Sequence, residues 1–365
     1  MDEKFMLRAL ELASKGRGKV SPNPLVGAVV VRDDRVIGEG WHAVYGGPHA
    51  EAAAIEASGD VQNSTVYVNL EPCSHHGKTP PCAELLIARG VSRVVVGTLD
   101  PNPKVAGRGV EALRKAGIQV DVGILDRQCR RLNEAFFWFI TQKTPWLVLK
   151  TAMTLDGKIT GPQGETCRIT SDESIREVHK LRHAMDAVMT GIGTVLADDP
   201  RLTCRMESGV HPHRVIIDSS LRIPLSARVL EPQNGVRIII ATGGLSPVEK
   251  EKKTELQQKG IEVLEIGNGC GQVDLVRLMD WLGKESIGSV LLEAGSGLNS
   301  GALQVGIVHK LVWFLAPKIM GGMQAASPVG GQGFLPGTRG LGVSQWSIEP
   351  SGPDMKIEGY LEGEC

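Results

Sequence analysis

The chain has 365 residues, 42% of them hydrophobic and 22% charged, and its 40 basic and 41 acidic side chains leave a formal net charge of −1. That length exceeds one ordinary core and suits two domains of unequal size, and the composition is that of a globular protein rather than a disordered one. The near-neutral balance lacks the basic surplus expected of a protein that grips a nucleic-acid backbone, so a small-molecule partner is favoured over nucleic acid.

The chain opens with "MDEKFMLRALELASKG", which reads as an amphipathic helix with Phe5, Leu7, Leu10 and Leu12 among its apolar positions. It lacks the uninterrupted apolar stretch of a signal peptide, and no run of eighteen apolar residues predicts a membrane span. "LVGAVVV" and "VIGEGW" then read as a hairpin turned at Asp33-Asp34. A helix from His49, the strand "STVYVNL", a helix from about Pro81 and the strand "RVVVGTL" follow. Next come a helix near Gly109 to Ala116, the strand "IQVDVGI" and a helix over 126–141. Strands alternating with helices of this length indicate α/β layers with parallel later strands. "QKTPW", around Pro145, is the expected linker, dividing the chain into domains 1–144 and 145–365.

The second half begins with the strand "WLVLKTAMTLDGKI". Thr170 and Glu173 are expected to form a capping box for the helix through "IREVHKLRHAM". Strands are predicted at "AVMTG", "HRVIID", "VRIIIAT", "IEVLEI", "SVLLEAG" and "KLVWFLAP". This is a second α/β domain of its own, and no internal repeat or low-complexity segment is apparent.

Seven cysteines are an odd and mostly scattered set, a poor disulfide framework. Cys129, Cys167, Cys204, Cys270 and Cys365 read as reduced thiols of a cytoplasmic protein. Cys73 and Cys82 differ. His49 stands two residues before Glu51 at a helix start, Cys73 follows Pro72 at a strand end, and Cys82 lies where Pro80-Pro81 introduces a helix. One imidazole and two thiolates suit zinc and leave a fourth position for water. Helix starts favour thiolates, and Glu51 is placed to move protons without binding the ion. A three-donor set is also compatible with an incomplete structural zinc site. The adjacent carboxylate and the match of "HAE…PC" to the zinc nucleobase deaminase signature favour a catalytic one, only the cysteine spacing departing.

The longer insert "SHHGKTPP" and the ordered motifs "SPNPLVGAVVV", "GWH", "GGPHAE", "EPCSHHGKTPPC" and "DPNPKVAGRG" identify the source of that departure. With "MTLDGK", "GTVLADDPRLT" and "EAGSGLNSG" after them, the sequence closely resembles the bifunctional riboflavin-biosynthesis deaminase–reductase family over essentially its whole length. The resemblance implies an N-terminal cytidine-deaminase-like three-layer α/β/α domain and a C-terminal dihydrofolate-reductase-like α/β domain. It implies zinc-dependent deamination of 2,5-diamino-6-ribosylamino-4(3H)-pyrimidinone 5′-phosphate, then NADPH-dependent reduction of the ribosyl group to ribityl.

Carried over residue by residue, His49, Cys73 and Cys82 would hold zinc and Glu51 would shuttle the proton. Asn23 would meet the base edge, although between two prolines it also suits a turn. His76, Lys78, Asp100 and Asn102 lie in loops that reach towards a ribose phosphate. For the cofactor, "LLEAGSGLNSG" is the best local signal: a strand end, then Gly295, Ser296, Gly297, Leu298, Asn299, Ser300 and Gly301 leading to a helix start that suits a phosphate. It does not have the Rossmann spacing. Met153, Thr194, Asp198 and Ser220 align with further cofactor contacts, as does Arg168, which stands where many relatives have tryptophan. Thr166, Arg182, Leu202, Arg205 and Glu293 align with contacts to the ribosyl substrate, and guanidinium forks suit phosphate oxygens. Members of such a family are often homo-oligomers, but no stretch here marks an interface. Two rivals remain at this level: a deaminase of a nucleoside, nucleotide or transfer-RNA base, and a zinc-stabilised binding module in which Glu51 is incidental.

Overall fold

The protein is described here from a computed structural model covering residues 1–74, 81–102, 105–163, 165–333 and 340–361. The chain separates into two compact units, Met1–Lys143 and Thr144–Cys365. The family resemblance to His76 and Lys78 falls outside the described residues.

The first unit runs α1 (Asp2–Ser14), β1 (Gly27–Arg32), β2 (Arg35–Trp41), α2 (Ala50–Ser58), β3 (Thr65–Leu70), α3 (Cys82–Ala88) and β4 (Arg93–Thr98). It ends with α4 (Arg108–Lys115), β5 (Gln119–Val122), α5 (Asp126–Leu132) and α6 (Glu134–Gln142). Its sheet has the order β2-β1-β3-β4-β5, antiparallel at β2/β1/β3 and parallel from β3 to β5. Asp33 and Asp34 turn the expected hairpin with φ of 50° and 57°, the paired left-handed residues that a two-residue hairpin turn needs. One face of the sheet buries Val29, Val31, Tyr67 and Val95 against Phe5, Met6, Ala9, Leu12 and Cys129. The other buries Val30, Val68 and Val96 against Ala50, Ala54, Ile55, Leu86 and Leu113. The result is three layers, each fully buried aliphatic side chain contributing about 1.5–3 kcal/mol.

Two expectations change here. Leu7 is half exposed, because the buried stripe of α1 runs through Phe5, Met6, Ala9, Leu12 and Ala13. The single helix over 126–141 is two helices, interrupted at Asn133 with φ −110° and ψ 19°. The Asn133 amide accepts the Leu25 N–H at 2.8 Å and donates to the Leu25 carbonyl at 2.9 Å, a long-range pairing that local helical periodicity does not reveal.

Glycine fixes where α2 sits. A Cβ at Gly40 of β2 would lie 2.3 Å from the Ala54 nitrogen and 2.6 Å from the Ala50 carbonyl. Only a bare backbone lets α2 approach this closely, and α2 carries Glu51 with His49 at its cap.

The second unit comprises β6 (Trp146–Thr154), α7 (Asp172–Ala184), β7 (Ala187–Gly191), α8 (Ile192–Asp198), β8 (His213–Ile217), β9 (Ile238–Thr242) and α9 (Pro247–Gln258). It continues through β10 (Glu262–Glu265), α10 (Leu275–Lys284), β11 (Ser289–Leu292), α11 (Ser296–Gln304), β12 (Lys310–Ala316), β13 (Val343–Ser351) and β14 (Asp354–Leu361). The sheet order is β10-β9-β8-β7-β11-β6-β12-β14-β13. It is parallel from β10 to β12 and antiparallel through β14 and β13. Leu147, Leu149, Met189, Val215, Ile239, Val290 and Leu292 are core positions. Such near-continuous apolar runs are what a sheet covered on both faces requires.

The cap of α7 is Ser171, whose side chain accepts from the Ser174 N–H, not Thr170. Ser171 Oγ also donates to Asp354 Oδ2 at 2.7 Å, so a residue of β14 selects which hydroxyl caps the helix. The β13–β14 hairpin was not expected from the sequence. Most of β13 is exposed, so it lacks a strong buried periodicity.

Candidate active sites

In the first unit, His49 occupies the N-cap of α2 but makes no capping bond; its ring turns to the cysteines instead. Nδ1 lies 3.3 Å from Cys82 Sγ and 3.5 Å from Cys73 Sγ, and the three donor atoms all fall within 4.8 Å of one another. Tetrahedral zinc with ordinary N and S bond lengths separates such atoms by about 3.5 Å. The donor set therefore fits zinc both in chemistry and in spacing, with room for one further ligand.

Local structure produces this convergence. Cys73 follows β3 and Cys82 is the first residue of α3. The Cys82 N–H donates to Cys73 Sγ at 3.3 Å, and the Ala83 N–H donates to the Cys73 carbonyl at 3.2 Å. Hydrogen bonding from Cys82, then His49 and the backbone N–H, outweighs burial and lowers the Cys73 thiol, while the same contact and burial push the Cys82 thiol up. The pair gives up its first proton at Cys73, whose thiolate is available to a cation. Glu51, on the first turn of α2, is only 3% exposed. Burial raises its carboxyl to about 7, with the Cys73 sulfur adding to the effect; a bound cation acts in the opposite sense.

His49, Glu51 and Cys73 line a cavity of about 290 Å³ together with Asn23, His42, Glu71, Asp100, Asn102, Phe136, Phe139 and Ile140. His42 Nδ1 donates to the Pro48 carbonyl at 2.9 Å, which leaves Nε2 to accept from the Asn23 amide at 3.2 Å. Burial depresses the His42 pKa and keeps the ring neutral for this role. Glu71 is 4% exposed and accepts N–H groups of Gly107 and Gly109 at 2.9 Å, Val110 at 3.2 Å and Asp100 at 3.3 Å. It ties the Asp100 loop to the start of α4. Neither His42 nor Glu71 was assigned a role from the sequence; their only signal was their place in "GWH" and "EPC".

The second unit holds a cavity of about 670 Å³ at the carboxyl ends of β6, β7, β8 and β11, where parallel α/β sheets bind ligands. Of the positions expected to contact cofactor or substrate, Thr166, Arg168, Thr194, Asp198, Glu293, Gly295, Ser296, Gly297 and Leu298 line it. Gly295 caps α11, and a Cβ added at Gly297 would meet nothing within 4 Å. This bare helix start, opening on a cavity of that size, fits a cofactor phosphate. Met153, Ser220, Asn299, Ser300 and Gly301 are outside the cavity lining, as are Arg182, Leu202 and Arg205. Asn299 and Ser300 are buried within α11. Asn299 donates to the Ala294 and Pro328 carbonyls at 3.2 and 2.9 Å.

Arg182 nevertheless reaches the cavity through Glu293, donating to its two oxygens at 2.6 and 3.0 Å. Lys150 Nζ is 3.5 Å from Glu293 Oε2 and lines the cavity. Burial pulls the Lys150 pKa down, partly offset by Glu293. Arg205 Nε donates to His179 Nε2 at 3.0 Å. Burial, with the neighbouring Arg182 and Arg205, brings that imidazole to about 4, so it stays a neutral acceptor. Lys150 was missed in the sequence reading, although a lysine inside the apolar run "WLVLKTAM" was a usable sign.

Comparison with known proteins agrees with this division. The family model described as the RibD C-terminal domain matches residues 145–357, and that for the cytidine and deoxycytidylate deaminase zinc-binding region matches residues 1–98. The riboflavin biosynthesis protein RibD of Actinobacillus pleuropneumoniae is 42% identical over 98% of this chain and 94% of its own. The Escherichia coli protein of the same name is 41% identical over 88% of this chain and 89% of its own. Among solved structures, RibD of Acinetobacter baumannii superposes with a TM-score of 0.86 at 36% identity, covering 99% of both chains. The diaminohydroxyphosphoribosylaminopyrimidine deaminase/5-amino-6-(5-phosphoribosylamino)uracil reductase of Thermotoga maritima gives 0.84 at 38% identity, covering 99% of this chain and 98% of its own.

Proposed function

The chain belongs to the RibD family of bifunctional deaminase/reductase enzymes of riboflavin biosynthesis, and from that premise we propose how its own residues divide the work. The first activity is assigned to residues 1–144 and the second to 145–365. The substrate of the first is 2,5-diamino-6-ribosylamino-4(3H)-pyrimidinone 5′-phosphate, whose 2-amino group is exchanged for oxygen with release of ammonia. The deaminated product then has its ribosyl group reduced to ribityl, giving 5-amino-6-ribitylamino-uracil 5′-phosphate.

His49, Cys73 and Cys82 hold zinc, and the second cavity holds NADPH. When bound, these groups supply a Lewis acid that eases deprotonation of water and a transferable hydride, respectively. Glu51 takes the proton of the attacking water on its carboxylate. It delivers that proton to the ring nitrogen as the oxygen adds to carbon. It then takes the remaining proton from the new hydroxyl and passes it to the amine as the C–N bond breaks and the carbonyl forms, so the carboxylate is regenerated at each turnover. Asn23, held by neutral His42, presents its amide to the base edge, while Asp100 and Asn102 face the sugar side.

In the second cavity the α11 start carries a cofactor phosphate, with Gly295 to Leu298 facing it and Asn299, Ser300 and Gly301 continuing the helix behind them. Thr166 meets the ribosyl phosphate and Glu293, held by Arg182, orients it; a phosphate contact of Arg205 rests on the family resemblance alone. Arg168, Thr194 and Asp198, in the lining, contact cofactor; contacts of Met153 and Ser220 with cofactor and of Leu202 with substrate rest on the family resemblance alone. Lys150, set against Glu293, is placed to donate a hydrogen bond to the sugar oxygen as the ring opens.

Convergence of the three donors on one point beside Glu51 carries the deaminase assignment. Among the described residues no helix is long and apolar enough to cross a membrane, and we assign the enzyme to the cytoplasm with a small molecule, not nucleic acid, as its partner. Association of copies is expected from the family resemblance alone, and light scattering reads it. The activity is tested by following NADPH absorbance with the diaminopyrimidine ribosyl phosphate. Oxidation by wild type, lost in Glu51→Gln and restored by deaminated substrate, is the expected result. No oxidation with either substrate would remove the reductase assignment.

A further inference from the structure

α6, "EAFFWFITQ", carries four aromatic residues and an isoleucine, yet none of its residues is buried. A helix apolar on several sides normally sits inside a core. Here Phe136, Phe139 and Ile140, spaced i, i+3, i+4 and hence on one stripe, line the same cavity as His42, His49 and Glu51. Phe137 lies off that stripe, edge-on to Phe136 with ring centroids 5.9 Å apart and with the Arg130 guanidinium 5.7 Å from its own centroid.

We infer that α6 is the specificity wall of the deaminase: Phe136 and Phe139 offer aromatic surface to the pyrimidine ring, Ile140 closes the cavity, and Asn133 is the positioning residue that sets the wall against the Asn23 loop. The inference rests on the deaminase reading of the first unit and names what that reading leaves open, namely how the base is selected.

Position within the chain supports a role in selection. The shared zinc-binding region of cytidine and deoxycytidylate deaminases ends at residue 98, whereas α6 begins at Glu134. The metal donors and Glu51 therefore come from a module common to several pyrimidine deaminases, and the wall comes from outside it. A planar ring sliding between the donors and α6 meets an apolar, uncharged surface on this side, where stacking is favourable and water is excluded from the proton-transfer carboxylate. Polar groups that read an edge, Asn23, Asp100 and Asn102, belong to other elements of the lining.

Asn133 connects the wall to the loop. It is 3% exposed, and its amide closes a two-way pair with the backbone of Leu25. The Asn69 amide donates to the same Leu25 carbonyl at 2.9 Å and accepts the Gly27 N–H at 2.8 Å. Pro22, Asn23, Pro24 and Val26, on either side of Leu25, all line the cavity. Asn133, immediately before α6, thus ties that helix to the backbone of Leu25 within the segment 22–26 that lines the cavity.

The test uses the full zinc-loaded chain with Phe136→Ala, Phe139→Ala, Phe139→Leu and Asn133→Ala. Ammonia release is measured with the diaminopyrimidine ribosyl phosphate and with dCMP, and NADPH oxidation with deaminated substrate serves as control. Phe139→Ala is expected to raise KM for deamination by roughly five- to a hundred-fold, the range that loss of base stacking implies, with a smaller change in kcat. Phe139→Leu keeps an apolar side chain but not the ring face, and is expected to raise KM too. Asn133→Ala is expected to raise KM without altering reduction. A narrowed preference for the diaminopyrimidine over dCMP in these variants is the accompanying signature. Unchanged KM in Phe136→Ala and both Phe139 variants, with wild type releasing ammonia normally, would overturn the wall and leave the deaminase reading standing. Equal losses of deamination and reduction would also overturn it. Absence of ammonia release from zinc-loaded wild type would overturn both.

Discussion

Arg182, at the end of α7, donates to both oxygens of Glu293, just beyond β11, and the pair is closed by Lys150 from β6. Burial alone would raise the Glu293 carboxyl, but the guanidinium and the ammonium prevail and bring it to about 2. The same burial lowers Lys150, so Arg182 provides most of the compensation and the lysine is the more easily discharged partner. Three elements far apart in sequence thereby meet at the cavity of the second unit, which Lys150 and Glu293 line.

That arrangement predicts a pH dependence of stability. A carboxyl whose folded pKa is depressed contributes stability that is fully present above its unfolded value of about 4.3 and is lost as pH falls through its folded value. The contribution of Glu293 should therefore fade from about pH 4.3 down to about pH 2. Glu293→Gln strands two buried cations and is expected to cost about 3–5 kcal/mol at neutral pH, with a shallower decline in acid. Urea unfolding of both proteins at several pH values checks this; parallel curves would contradict it.

Glu51→Gln is expected to lower the deamination kcat by about 10²–10⁴, the usual range for a proton-transfer group, while reduction of deaminated substrate continues at the wild-type rate. Paired assays of ammonia release and NADPH oxidation on one preparation decide it. Equal loss of both activities with zinc retained would mean that the two reactions share this carboxylate.

Removing zinc should act on one unit alone. Chelation is expected to abolish ammonia release, lower the Tm of the first unfolding transition and leave NADPH oxidation with deaminated substrate intact, since all three donors lie in the first unit. Cys82→Ser should show the same pattern and fail to recover on zinc addition. Calorimetry with metal analysis is the measurement, and a chelated protein that still releases ammonia would exclude a catalytic ion.

Gly40→Ala places a methyl group 2.3 Å from the Ala54 nitrogen. Either β2 or α2 must shift, at an expected cost of about 1–3 kcal/mol. Because α2 carries Glu51 and is capped by His49, deamination should fall by more than the loss of stability explains, which kinetics at a temperature well below Tm would reveal. A stable variant with normal turnover would show that the helix can retreat without moving the site.

Lys150→Met replaces a buried ammonium by an apolar chain of similar length and is expected to cut NADPH oxidation by about 10²-fold, as for loss of one well-placed hydrogen-bond donor. Ammonia release should be unaffected.

The metal donors were legible because their chemistry is local in kind. A thiolate pair and an imidazole beside a carboxylate carry meaning by residue type alone, and "HAE" and "EPC" each keep their members within a few residues. Strands buried on both faces were equally plain, since Leu147 to Leu149 or Ile238 to Ala241 must be apolar throughout. The β13–β14 hairpin was missed because an exposed edge imposes little pattern. The α7 cap was misplaced by one residue because Asp354, 183 positions from Ser171, holds the hydroxyl that caps.

By itself the sequence determined two α/β domains, the donor set of His49, Cys73 and Cys82 and the carboxylate of Glu51 beside it, because backbone periodicity and ligand chemistry are written in neighbouring residues. Only the tertiary structure decided that Glu71 would anchor the Asp100 loop, that Lys150 would stand against Glu293, and that α6 would turn an aromatic stripe to the cavity. Each of those depends on where burial and hydrogen bonding bring distant segments, and a side chain's neighbours across a fold are set by packing of the whole core rather than by its place in the chain.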